Sequence, residues 1–180
     1  MTIKELCTRF MITVVLLIII HLYSLSETGE KILSFSEWQN KSQIDLAVKD
    51  LKGDRLLKGL AEINGFVLNF DVALTDKEKQ DGLSIKSSMK ENEGMLFIFD
   101  KPNYQSFWMK GMKFPIDIIW LNENLSIVHI EKSLEPCETL ITCPSFRPTS
   151  ESLYVLETIS GFSEKYGLKI GNKINIKIGP

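Results

Sequence analysis

Histidine, cysteine and excess basic charge are all scarce in this chain, and each scarcity removes a class of function. Two of the 180 residues are histidine and three are cysteine. A zinc-type site, which needs closely spaced Cys pairs with further Cys or His ligands, has no set to draw on. No G-x-S-x-G elbow, H-E-x-x-H helix or phosphate-binding glycine loop occurs. Lys and Arg number 21 against 23 acidic residues, a net charge of −2, so nothing favours nucleic acid as a partner. Internal repeats and low-complexity tracts are absent too. What is there is 44% hydrophobic and 24% charged, the balance of a folded globular protein.

The one long apolar run lies at the N-terminus. "FMITVVLLIII" over residues 10–20, extended by "HLYSL" to Leu25, gives about 16 apolar residues, between a signal-peptide core and a full span. Lys4 and Arg9 precede it and Glu27 and Glu30 follow, which predicts a cytoplasmic N-terminus and an exported remainder. Cys7 precedes the run and is not placed as a lipoprotein cysteine. Ser24 and Ser26 would allow cleavage after Ser26 and secretion. They are poorer than the usual A-x-A, so the sequence predicts an uncleaved signal anchor in the cell membrane. Residues 1–26 are then cytoplasmic tip and transmembrane anchor, 27–60 a stalk, and 61–180 an extracytoplasmic β domain. Within the stalk, "SEWQ" has capping-box spacing, and Ile44, Ala47, Val48 and Leu51 recur at helical period before Gly53.

Period-two patterns dominate the rest. Phe66, Leu68, Phe70, Val72 and Leu74 alternate with Val67, Asn69, Asp71 and Ala73 as a half-buried strand does. "TDKEKQDG" follows, where Thr75 and Glu78 fit a capping box and Gly82 a helix stop. "MLFIF" and "SFWM" flank the turn-rich "DKPNY" and read as a hairpin, as do "DIIWL" and "LSIVHI" around "NEN". "LYVLE" and "KINIKI" complete the set, with a brief helix over "GFSEKYG" stopped by Gly167. Frequent turns between short strands predict a mainly β, compact sandwich or barrel with one or two short helices.

These blocks also carry a family resemblance. "DVALTDKEKQDGL", "EGMLFIFD", "FWMKGMKFPIDIIWL", "YVLETISGF" and "LKIGNKI" stand in the order seen in domain of unknown function family 192, over roughly residues 66–178. The resemblance implies a jelly-roll-like β domain, frequently exported in prokaryotes, and no established reaction. The chain departs from the family pattern at Lys79 (usually Arg), Ser84 (usually Met) and Gly111–Met112 (usually Asn-Thr), the last removing two polar side chains beside Lys110.

Chemistry-bearing residues are few. Cys137 and Cys143 flank "ETLIT", and outside the cytoplasm such a pair is expected to form a structural disulfide. His129 alternates with Ile127 and Leu125 along a strand, the pattern of a packed histidine rather than a general base. Met95, Met109, Met112 and His129 are soft donors suited to copper, but Met95 and Met109 fall in strands where methionine fills cores, so no metal or other cofactor is expected. In "FWMKGMKFPIDIIWL" the turn "KGMKFP" joins two strands, with Pro115 fixing entry to the second. That sets Lys110 and Asp117 near opposing ends of one hairpin. Asp117 then either accepts backbone N–H bonds or pairs with Lys110 to close the turn, or Trp108, Lys110, Asp117 and Glu157 line a pocket for a small polar ligand. The expected role is a non-catalytic module that binds such a ligand or an envelope protein. The alternatives are an envelope hydrolase acting through Asp117 and Glu157, and a structural subunit of a membrane complex.

Overall fold

Asn64 and Gly65 adopt positive φ values of 48° and 82°. A two-residue turn with both central residues left-handed matches the right-handed twist of paired strands, and it joins β1 (Lys58–Ile63) to β2 (Phe66–Ala73) as an antiparallel hairpin. The structure, a computed structural model, describes residues 57–137 and 142–179. The expected anchor over 1–26 and the expected helix near 44–51 lie outside those residues. Among the described residues no helix is long and apolar enough to cross a membrane. The sheet already includes Lys58 to Leu60, which the sequence pattern assigned to the stalk.

After β2, Thr75 caps helix α1 (Asp76–Asp81) by the expected box: the Glu78 N–H donates to Thr75 Oγ1 at 3.2 Å, and the Thr75 N–H donates to Glu78 Oε2 at 2.8 Å. A single 3-10 turn follows (Gly82–Ile85). The remaining elements are β3 (Glu93–Asn103), β4 (Phe107–Trp108), β5 (Ile116–Leu121), β6 (Ile127–Leu134), β7 (Ser145–Phe146), β8 (Ser152–Ile159), helix α2 (Phe162–Lys165) and β9 (Asn175–Gly179). Seven strands form one mixed sheet in the order β6-β5-β8-β3-β2-β1-β9, with β2 and β3 parallel and the other neighbours antiparallel.

That sheet curls until its ends meet. Ser126 bridges Lys173, the Ile127 N–H donates to the Asn172 carbonyl at 2.8 Å, and the Ile174 N–H donates to the Leu125 carbonyl at 3.0 Å. The result is one barrel-like sheet rather than the two facing sheets of a jelly roll. The β5–β6 hairpin forms as expected. The expected hairpin across "DKPNY" does not: β3 pairs with β2 and β8, while β4 pairs with β7 as a separate ribbon.

Strand alternation then divides the apolar residues between two cores. Leu68, Phe70, Leu96, Ile119, Leu121, Tyr154 and Leu156 face the barrel interior, plugged by Phe162 of α2. Met95, Phe97, Ile116, Ile118, Trp120 and Val155 face outward, where Leu83, Met109 and Phe114 cover them. Both faces of β3, β5 and β8 are therefore buried, which is why "IDIIWL" and "SLYVLET" lack clean polar alternation. At about 25 cal/mol per Å² of apolar surface, each fully buried large side chain contributes on the order of 2 kcal/mol.

Candidate functional site

Two carboxylates interrupt these apolar strands, and they do different things. Asp117 is 0% exposed and lies on the inner face of β5. Its Oδ1 accepts from the backbone N–H of Ser133 (2.8 Å) and Gly161 (3.1 Å), and its Oδ2 accepts from that of Ser163 (2.8 Å). The partners come from β6, the β8–α2 turn and α2, so one side chain ties three segments together. Ser133 has φ 51° and Gly161 φ 82°. Opposite Asp117 the pairing steps from Ile118↔Glu131 to Ile116↔Leu134, one extra residue on β6, and the Ser133 bond pins that bulge.

Glu157 stands on the neighbouring strand but on the other face. Its register partners are Ile118 on β5 and Met95 on β3, both in the outer core. It is 4% exposed, and its Oε2 finds no hydrogen-bond partner among the described residues. Burial pushes its carboxyl up to about 8, so at neutral pH it is mostly the neutral acid. An unsatisfied buried polar group of this kind costs roughly 1–3 kcal/mol.

What Glu157 faces is a cleft of about 150 Å³. Its walls are the end of α1 and the 3-10 turn (Lys79, Ser84), β3 (Phe97, Phe99), β4 (Phe107, Trp108) and the following loop (Lys110, Met112). Phe107 packs edge-on against Phe97, Phe99 and Trp120, which fixes β4 over the sheet. Trp108, by contrast, is 55% exposed. Lys110 Nζ sits 5.2 Å from the Trp108 ring centre and Lys79 Nζ 4.9 Å from that of Phe99. Asp81, the other carboxylate on the rim, is engaged by Lys77 at 2.7 Å.

A larger cleft of about 340 Å³ beside β1, β2 and β3 is chemically satisfied. Its Asp71 pairs with Lys86 at 2.8 Å and Lys58 at 3.9 Å. Thr158 Oγ1 and Ser163 Oγ, near Asp117, also lack partners among the described residues but line neither cleft.

The structure thus brings Trp108, Lys110 and Glu157 together and leaves Asp117 out. The expected hairpin linking Lys110 to Asp117 is absent; Lys110 bridges Cys137 instead, whose N–H donates to the Met109 carbonyl at 3.0 Å. Asp117 accepts backbone N–H groups, one of the two alternatives read from the sequence. Facing opposite sides of the sheet, Asp117 and Glu157 do not converge on one bond as a hydrolytic pair must. The Cys137–Cys143 disulfide is formed, with its Cα atoms 5.7 Å apart. His129 is half-buried, edge-on to Trp120 and 3.1 Å from Glu131. Met95 and Met109 are core residues, and Met112 lines the cleft.

Sequence reasoning missed Phe99 and Lys79 as cleft residues. The signal for Phe99 was available, since Met95, Phe97 and Phe99 share one face at period two. Lys79, Ser84 and Met112, which the sequence marks as departures from the family pattern, all line this cleft, and a Cβ on Gly111 would stand 3.8 Å from that of Ser84.

Comparison with curated proteins returns no match. Among solved structures, the chain resembles a protein of unknown function from Novosphingobium aromaticivorans at 25% identity, TM-score 0.58, over 66% of this chain and 82% of that one. It also shares its fold with a Sinorhizobium meliloti protein whose name suggests a transcription regulator, at 19% identity, TM-score 0.59, over 71% of this chain and 97% of that one. The model of the family DUF192, described as "Uncharacterized ACR", matches residues 60–176, which includes every strand of the cleft. The chain belongs to the DUF192 family.

Proposed function

We propose that this protein is a non-catalytic ligand-binding module, tethered by its N-terminal apolar segment to the cell membrane with the β domain on the extracytoplasmic side. One observation carries the binding role: a buried carboxyl, Glu157, whose Oε2 has no partner among the described residues, lines an open cleft with an exposed tryptophan on its rim. Left unsatisfied, such a group costs the fold stability, and a ligand that completes its hydrogen bonding recovers that cost. Aromatic walls with few convergent polar groups are the usual make-up of a small-molecule site. The apolar run at 10–20 and its charge flanks support the tether.

The test is a ligand-observed NMR screen of small polar metabolites against the full-length protein, repeated with Trp108→Ala. Hits lost in the variant support the cleft; no hits, or hits indifferent to Trp108, defeat it. Protease added outside intact cells should digest the domain and leave a membrane-bound stub. Full protection would overturn the proposed topology.

A further inference from the structure

The cleft's ligand can be narrowed by charge and shape. Besides Glu157, the charged groups lining it are Lys79, Lys110 and Asp81, and Asp81 is taken up by Lys77. On either side of Glu157, β3 and β5 present only Met95 and Ile118. The two lysines have no carboxylate partner among the ion pairs of the described residues; each instead rests on an aromatic ring of the cleft wall. Those rings therefore already carry their cations, so a cationic ligand would meet repulsion where an aromatic cage would otherwise hold it. An anion meets two ammonium groups beside an aromatic wall, where such attraction is stronger than in bulk water.

The geometry points to a small organic anion with a flat apolar body as the ligand, its carboxylate reaching the Glu157 carboxyl and the Lys79 and Lys110 ammonium groups while its body packs against Phe99 and Trp108. This identification rests on the ligand-binding reading above. An acid that is neutral at pH 7 has one O–H to donate, and a carboxylate oxygen is the acceptor that uses it best. An amine would require the opposite state of Glu157, ionised in an apolar setting. The ligand's anion and the Glu157 proton are therefore linked: whatever removes that proton places two negative charges in contact.

The probe is phenylacetate, with 2-phenylethanol and phenethylamine as neutral and cationic controls of the same skeleton. All three are titrated calorimetrically into the full-length protein at pH 7 and pH 9. Phenylacetate is expected to bind best, and about tenfold more weakly at pH 9, because the protonated fraction of Glu157 falls about tenfold between them. Lys79→Gln, at a half-buried position, and Lys110→Gln, at an exposed one, should each weaken phenylacetate about fivefold and leave 2-phenylethanol unmoved. Glu157→Gln keeps a donor and should bind with the pH dependence gone.

Preference for phenethylamine, or phenylacetate binding that is equal at both pH values, would overturn the anionic assignment while the cleft stands as a binding site. Failure of all three probes, with metabolite hits that Trp108→Ala removes, would also sink the anion class alone. If the metabolite screen fails as well, both readings fall.

Discussion

Glu157 makes stability depend on pH in an unusual direction, and the size of the effect follows from its setting. The unfolded chain releases this proton near 4.5, whereas the folded protein holds it to about 8. Between those values the native state binds the extra proton, so stability falls as pH rises, by about 1.4 kcal/mol per pH unit in mid-window. The contribution is complete below 4.5 and is gone above 8. From pH 5 to pH 8 the loss is about 3 kcal/mol, a large part of the 5–15 kcal/mol typical of a domain.

Among the described residues, the other shifted groups have their effects outside that window. Glu78, despite the upward push of its own burial, is held below the usual range by the backbone N–H groups of Thr75 and Leu74. Glu91 is lowered by Lys165 and the Tyr166 hydroxyl. Their contributions are lost only as pH falls below 4.5. Lys165 and Tyr166 are raised from values already at 10 or above. Urea unfolding at pH 5, 6, 7 and 8, followed by the fluorescence of buried Trp120, gives the profile for wild type and Glu157→Gln. The wild type should decline and the glutamine variant should not. A wild-type profile that is flat or rises, or a variant with the same decline, would refute the reasoning.

Asp117→Asn places an amide where three N–H groups converge and should cost about 2–4 kcal/mol, read as a lower urea midpoint with unchanged slope. Full stability in that variant would show that the three bonds contribute nothing net. Reducing the Cys137–Cys143 bridge, which closes a seven-residue loop, should lower stability by about 2 kcal/mol, and melting with and without reductant measures it. Thr75→Ala removes the helix cap and should cost about 1 kcal/mol by the same unfolding assay, with the sheet's spectroscopic signature retained.

The parts of this fold legible in the sequence are those decided locally. The capping box of α1 needs only four residues, the β5–β6 hairpin only its turn, and the disulfide only the close spacing of its two cysteines. The "DKPNY" segment misleads because its turn residues do not end β3. The strand runs on to Asn103, and a register shift against β8 between Ile98 and Asn103 lets Pro102 into its edge. β1 was legible in principle, since Asn64-Gly65 is a strong hairpin signal, but the glycine at 59 and the alanine at 61 blur the alternation before it. The site was half-legible. Alternation along β5 or β8 places Asp117 and Glu157 relative to their own neighbours. Only the pairing of Ile118 with Glu157 shows that they face opposite ways.

That opposition bears on how the chain avoids misfolding. Strand slippage by one residue turns every side chain to the other face. In β5 such a slip would thrust Asp117 among Met95, Phe97 and Val155 and strand the amides of Ser133, Gly161 and Ser163. In β8 it would drive Glu157 into the barrel beside Leu68 and Leu96, away from any opening. Apolar strands such as "IDIIWL", nearly alike on both faces, are those with least to tell one register from another. A lone carboxyl on each supplies the missing distinction, making the wrong alignment a polar group sealed in oil. The two acids act as alignment marks, and a chain stripped of both would keep its hydrophobicity while losing part of its uniqueness.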